Sequence, residues 1–335
     1  MLAAIFGLSG LELTDAERGF FREADPAGYI LFGRNFESKD QVRALTDGLR
    51  ALHGRDDVPI MVDQEGGRVQ RMKPPVWPQF PAGDRFAELY RLAPISAMQA
   101  ALLNAEAIGV SLAEVGINVD CLPLLDVRAP GAHDVIGDRA LGEEPMQVAA
   151  LGRAVLDGLA AAGVGGIVKH IPGHGRAMAD SHKSLPVVDA SADELERDIA
   201  PFATLSHATM AMTAHIVFTA WDAARPATLS PKVIEDIIRG RIGFDGLLFS
   251  DDLDMEALDG SVPERAEAAV AAGCDIALNC WAKMDDMTGI AQRLGTMKPQ
   301  TKRRYEAACA ALGNPGGQGR LDELVAKRDE LLALV

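Results

Sequence analysis

The chain has 335 residues and a formal net charge of -15, from 33 basic and 48 acidic side chains. That balance excludes the basic stripe a nucleic-acid binder needs to neutralise phosphates, and it opposes adhesion to an anionic membrane surface. An apolar share of 48% beside 24% charged residues is that of a globular chain with a large core. The sequence reads as having no run of about 18 apolar residues for a bilayer span. The start, MLAAIFGLSGLEL, lacks a basic n-region, so a cytoplasmic protein is expected. Cys121, Cys274, Cys280 and Cys309 form no C-x-x-C pair. They are expected to be reduced thiols, with Cys121 and Cys280 in or beside strands.

Short apolar runs alternate with longer helical patterns. The segment 2–8 is a candidate first strand, and clearer runs follow at 28–32 and 59–63. Between these two, Ser38 can cap a helix whose Val42, Leu45, Leu49 and Leu52 share a face. Further strands are expected at 117–126, 166–170, 210–215, 246–251 and 275–279. Gly163-Val164-Gly165-Gly166 precedes a strand, whereas a dinucleotide loop must follow one and open a helix, so these glycines read as a helix stop. Ser191 with Glu194 makes a capping box, and Ser230-Pro231 places proline in the first helical turn. Residues 321–334 form a closing amphipathic helix, with Leu321, Leu324, Val325, Leu331 and Leu332 at helical spacing.

Most of the strands are apolar on both faces, as parallel strands buried between helices must be. The expected fold is α/β, a (β/α)8 TIM-type barrel in which one strand is irregular or missing. A doubly wound open sheet is the alternative, and its dinucleotide fingerprint is absent from the sequence. No Pro/Ser-rich linker or internal repeat divides the chain, so residues 1–335 are expected to be one catalytic domain.

Ionisable residues gather where the expected strands end: Asp63 ends PIMVD, Lys169 and His170 end GIVKH, His215 ends AMTAH, and Asp251 and Asp252 end LLFSDD. In a parallel barrel those ends share one mouth, and burying such groups unpaired in a core would be costly. In DQEGGRVQR (63–71) the glycine pair permits a sharp turn after a strand. There Asp63 and Arg71 suit sugar hydroxyls, while Glu65 and Arg68 suit a loop salt bridge. In KHIPGHG (169–175), followed by DSH (180–182), Asp180 can meet His182 if the loop turns back. A carboxylate on one imidazole nitrogen fixes the tautomer and makes a general acid/base. His174 reads equally well as a loop-packing residue. In FSDDL (249–253) one carboxylate should face the mouth and the other turn away, and Asp252 can serve as a helix cap. Arg139, in a long loop after the third of the clear runs, can reach over the mouth or form a loop salt bridge.

Taken together, these blocks resemble glycoside hydrolase family 3, and within it the single-domain bacterial β-N-acetylglucosaminidases. The resemblance spans most of residues 28–279, with the four motifs in the family's order. It implies Asp251 as nucleophile, His182 as acid/base with Asp180 as its partner, and Asp63, Arg71, Arg139, Lys169 and His170 as substrate-binding residues. Two positions depart from the family's pattern: Ile171 replaces an aromatic after Lys-His, and Asp254 replaces a small serine after SDDL. The implied reaction is retaining, exo-acting release of terminal N-acetylglucosamine from peptidoglycan fragments, N-acetylglucosamine β-1,4-linked to anhydro-N-acetylmuramic acid with or without peptide. It implies cell-wall recycling and needs no cofactor or metal. The expected partner is a small carbohydrate, with no nucleic acid or membrane, for a monomer or weak homo-oligomer. Two other readings of the same residues compete. A metal-dependent barrel hydrolase would use His170, His174, His182 and Asp251, although no H-x-H or H-E-x-x-H spacing is present. A non-catalytic sugar-binding barrel would keep Asp63 and Arg71 without needing Asp251.

Overall fold

The computed structural model describes residues 1–179, 184–313 and 319–335. Among these, eight parallel strands form a ring. They are β1 (Leu2–Gly7), β2 (Pro26–Leu31), β3 (Ile60–Val62), β4 (Val119–Asp120), β5 (165–171, as Gly165–Gly166 and Val168–Ile171), β6 (Met210–Thr213), β7 (Leu247–Phe249) and β8 (Ala277–Asn279). Met61 of β3 lies between Ile30 and Val119, and Ala211 of β6 lies between Val168 and Leu248. The β7–β8 seam is a single Phe249–Ile276 bridge, backed by the Ser250 N–H donating to the Ile276 carbonyl at 3.0 Å. β1 pairs with β2 on one side and with β8 on the other, which closes the ring and excludes the open sheet. Segment 2–8 therefore supplies the strand the sequence left open.

Strand alternation divides the core in two. Ile5, Ile30, Met61, Val119, Ile167, Phe249 and Leu278 belong to a cluster inside the barrel. Phe6, Tyr29, Leu31, Ile60 and Val62 belong to the larger cluster between strands and helices. With both faces covered, every residue of β1, β2 and β3 is buried.

The expected caps are present. The Ser38 hydroxyl accepts from the Gln41 N–H at 3.3 Å and opens helix Lys39–His53, and Ser191 with Glu194 completes a capping box. The Ser230 hydroxyl accepts from Val233, but the helix Val233–Arg241 then winds wide, with the Ile242 N–H reaching the Ile237 carbonyl at 2.8 Å. Hydrophobic spacing does not report this i→i−5 winding. The closing helix is Leu321–Leu332.

Two expectations need correction. Helix Pro94–Glu114 is long and apolar enough by composition to cross a membrane, contrary to the sequence reading. Most of its residues are buried, and it packs against helices Pro145–Ala161, Gly83–Leu92 and Leu321–Leu332. Of the glycines 163, 165 and 166, only Gly163 follows the end of a helix. Gly165 and Gly166 pair with Val119 and Asp120 in the barrel. All four cysteines are free and buried.

Candidate active site

The strand ends on one side of the ring open into a cavity. Its walls differ in chemistry. One is built from β3, β5 and the loops beside them. Asp63 directly follows β3, and the hairpin Gln64–Gly66/Val69–Gln70 turns back through Gly66 and Gly67, both in the left-handed region (φ +92° and +55°) that favours glycine. The turn returns Arg71 to Asp63 at 3.2 Å. From β5, the buried Lys169 ammonium donates to Asp63 at 2.9 Å and lies 2.7 Å from Glu65. Arg139 grips Glu65 side-on through Nε and Nη2, at 2.7 and 2.8 Å.

Burial alone would raise both carboxyl pKa values. Lys169 and Arg71 outweigh it at Asp63, holding that group far below the usual carboxylate range. Arg139 and Lys169 do the same at Glu65, which falls to about 2. The same two carboxylates hold the Lys169 ammonium above its ordinary value against its own burial. The whole wall is therefore charged at neutral pH.

Between the walls stand two histidines. Asp126, fully buried beyond β4, places one oxygen 2.8 Å from His170 Nδ1. Its other oxygen accepts the backbone N–H groups of His170 and His174, at 3.2 and 2.7 Å. Burial opposes ionisation of Asp126, but the interactions with His170 prevail and keep its pKa low. A carboxylate at Nδ1 requires a hydrogen there, which fixes the His170 tautomer. The His174 ring meets His170 edge-on at 5.5 Å, and burial, then His170, pushes its pKa down to about 4, so it is neutral at pH 7. The loop packs closely here: a Cβ on Gly175 would stand 1.8 Å from the Val127 carbonyl oxygen.

The opposite wall follows β7. The Asp251 N–H donates to Thr213 Oγ1 at 3.3 Å, and Asp251 Oδ1 accepts the Asp252 N–H at 2.8 Å. Asp252 Oδ1 accepts the Asp254 N–H at 3.1 Å, an Asx turn rather than the helix cap the sequence allowed. Both Asp251 and Asp252 line the cavity, where one of them was expected to turn away. Burial, then Asp254, raises the Asp252 carboxyl well above its ordinary range. Asp254, the departure from serine, accepts from Asn279 Nδ2 at 2.7 Å and from the Cys280 and Trp281 N–H groups at 3.0 and 3.2 Å. It thereby ties the β7 loop to the end of β8.

Asp63, Arg71, Arg139, Lys169, His170 and Asp251 are thus brought to one cavity. Asp180 and His182 lie outside the described residues. Arg68 has the loop role expected of it, pairing with Asp138 at 2.7 Å and donating to the Val135 and Ile136 carbonyls. Glu65 was expected in the same role but stands in the cavity wall, bridging Lys169 and Arg139. Asp126 was missed, although it closes the run CLPLLD as Asp63 closes PIMVD. Among the described residues, no group of three or more His, Cys, Asp or Glu converges as a metal site.

Residues 9–309 match the glycosyl hydrolase family 3 N-terminal domain. The chain is 38% identical over 301 residues to a β-hexosaminidase of Bordetella avium, covering 88% of this chain and 85% of that protein. It is 38% identical over 339 residues to a β-hexosaminidase of Methylococcus capsulatus, covering 98% and 94%. Among solved structures it resembles NagZ from Neisseria gonorrhoeae in complex with N-trifluoroacetyl-D-glucosamine, with a TM-score of 0.88 and 31% identity over 99% of this chain and 97% of that one. A family 3 β-N-acetylglucosaminidase from Paenibacillus aligns with a TM-score of 0.85 and 31% identity over 98% of this chain and 67% of its own.

Proposed function

The chain belongs to glycosyl hydrolase family 3 and is a β-N-acetylhexosaminidase, and from that premise we propose that it is a retaining, exo-acting enzyme releasing terminal N-acetylglucosamine through a covalent intermediate on Asp251. The observation that carries this reading is the placement of Asp251 at the end of β7, across one cavity from the charged Asp63–Lys169–Arg71 wall. Asp251 attacks the anomeric carbon as the glycosidic C–O bond breaks. His182, oriented by Asp180, gives its proton to the departing oxygen. The same imidazole then takes a proton from the water that opens the glycosyl ester. Asp63, Arg71, Arg139, Lys169 and His170 hold the sugar. Ionised carboxylates accept from hydroxyls, and guanidinium, ammonium and imidazole N–H groups donate to them.

On this reading residues 1–335 are one catalytic barrel acting in the cytoplasm on peptidoglycan fragments, N-acetylglucosamine β-1,4-linked to anhydro-N-acetylmuramic acid with or without peptide. Similarity to the β-hexosaminidases and to NagZ supports that substrate class. The test compares an aryl β-N-acetylglucosaminide with the aryl β-glucoside, and then labels the enzyme with a 2-fluoro sugar probe. Preference for the acetamido sugar and a peptide label on Asp251 are expected. A label on Asp252 or Glu65 overturns the nucleophile.

A further inference from the structure

His215 ends the AMTAH run, yet it stands outside the cavity lining and is fully buried, as are Thr213 and Thr228. A polar trio of this kind is stable in a core only if its members satisfy one another. Thr213 Oγ1 and Thr228 Oγ1 lie 2.8 Å apart. Thr228 Oγ1 lies 2.8 Å from His215 Nδ1, and His215 Nε2 lies 2.9 Å from the backbone carbonyl oxygen of Asp252. At the other end, the Asp251 N–H reaches Thr213 Oγ1 at 3.3 Å.

These contacts have one consistent direction. A carbonyl oxygen only accepts, so His215 Nε2 carries the hydrogen. Burial lowers the pKa of the imidazole and keeps it neutral, which leaves Nδ1 an acceptor. Nδ1 must then take the Thr228 hydroxyl hydrogen. The other acceptor within reach, the Ala214 carbonyl, is farther away at 3.1 Å, and donating there would set the Thr228 lone pairs against Nδ1. With that hydrogen committed, the Thr213–Thr228 contact uses the Thr213 hydrogen, and Thr213 accepts the Asp251 N–H. The order runs from Asp251 N–H through Thr213, Thr228 and His215 to the Asp252 carbonyl oxygen. Its two ends flank the peptide whose N–H holds Asp251 Oδ1 at 2.8 Å.

We propose that Thr213, Thr228 and His215 form a one-way hydrogen-bond circuit beneath the mouth that fixes the Asp251–Asp252 peptide and so aims the Asp251 carboxylate, with His215 as a positioning residue. The inference rests on Asp251 being the nucleophile. None of Thr213, Thr228 and His215 lines the cavity, so loss of the circuit acts on the chemical step more than on binding.

The experiment follows the first-order rate of 2-fluoro probe labelling at Asp251, with kcat and KM measured in parallel. Thr228→Val keeps the shape and removes the hydroxyl, His215→Phe removes both ring nitrogens, and Thr228→Ser restores the hydroxyl. Labelling stoichiometry counts active sites and separates a misfolded fraction from a slow one. Thr228→Val and His215→Phe should lower kcat and the labelling rate together by roughly 10- to 100-fold. KM should stay within about twofold and Thr228→Ser should label at close to the wild-type rate. Wild-type labelling at Asp251 with an equally fast Thr228→Val overturns the circuit alone, as does a Thr228→Ser enzyme as slow as Thr228→Val. A wild-type label on another residue overturns the nucleophile, and this inference with it.

Discussion

The two walls of the cavity keep acidic groups in place by opposite means. Across β3 and β5, Asp63 and Glu65 are fully charged, and three cations hold them at hydrogen-bond distance. Beyond β7, Asp251, Asp252 and Asp254 are positioned by backbone N–H groups and by an amide and hydroxyl-lined cradle. A wall that binds hydroxyls gains from fixed charge, because charged donors and acceptors make the stronger hydrogen bonds. On the β7 side the Asp252 carboxyl is shifted upward by burial and by Asp254, the opposite direction from Asp63 and Glu65. The walls should therefore respond differently to substitution and to pH.

The largest effect is expected at the reacting wall. Asp251→Ala should lose at least about 10⁴-fold in kcat with its melting temperature little changed, because the proposed covalent step loses its nucleophile. Comparable loss with global unfolding would move Asp251 from chemistry to structure. Next comes the proposed acid. His182→Ala should lose about 10²- to 10⁴-fold on a natural disaccharide but far less on a dinitrophenyl glycoside, whose leaving group departs unprotonated. On the activated substrate a burst should precede slow turnover, and azide should speed the slow phase. Equal losses on both substrates, with no burst, would remove the histidine from its role. Asp180→Asn should show a milder form of the same pattern.

At the binding wall the cost should fall on stability as well as on activity. Lys169→Met leaves Asp63 and Glu65 short of a buried cation, and breaking such a network costs about 3 kcal/mol or more. Denaturant melts should show that loss, and kcat/KM should fall with it. An unaltered melt would mean that Arg71 and Arg139 suffice.

The pH predictions are the smallest and separate charged acids from neutral ones. Asp63 and Glu65 have depressed folded-state pKa values, so their contribution is fully present above the unfolded value near 4 and is lost as pH falls toward about 2. Activity lost at pH 5 should thus return on neutralisation with no unfolding signal. Asp120, beneath this wall, is the converse case. Burial raises it to about 8, so the folded state holds a proton that the unfolded chain releases. Stability then falls between roughly pH 4 and pH 8. Asp120→Asn cannot titrate, and should melt at least about 2 °C above wild type at pH 8 but level with it at pH 4. Equal melting at both pH values would show that Asp120 titrates normally.

Most of the barrel and one set of cavity residues were legible in the chain because both follow from local rules. Apolar runs buried on both faces announce parallel strands, and ionisable residues at their ends announce a shared mouth. Asp63 and Asp251 stand just past the ends of strands and Lys169 within one, so strand position located them. The errors share a different cause. Glu65 read as a loop residue because nothing near it in sequence tells that Lys169 and Arg139, more than a hundred and some seventy residues on, converge upon it. Asp252 read as a cap because adjacent carboxylates often are, and its Asx turn depends on Asp254 being drawn to β8. Helix Pro94–Glu114 escaped notice as an apolar span because its polar residues interrupt the run, and only its packing shows where it belongs.

The sequence by itself determined the alternation of strand and helix, the caps at Ser38 and Ser191, and the delivery of Asp63, Lys169, His170 and Asp251 to the mouth. These depend on neighbours within a few positions, where backbone preference and side-chain periodicity act directly. Only the tertiary structure decided which charge meets which, that Asp126 organises both His170 and His174, that the Asp252 carboxyl is shifted up while that of Asp63 is shifted down, and that β1 closes the ring against β8. Each of these depends on distance and desolvation between groups remote in sequence, and a pKa or a hydrogen-bond direction exists only once the fold has set both.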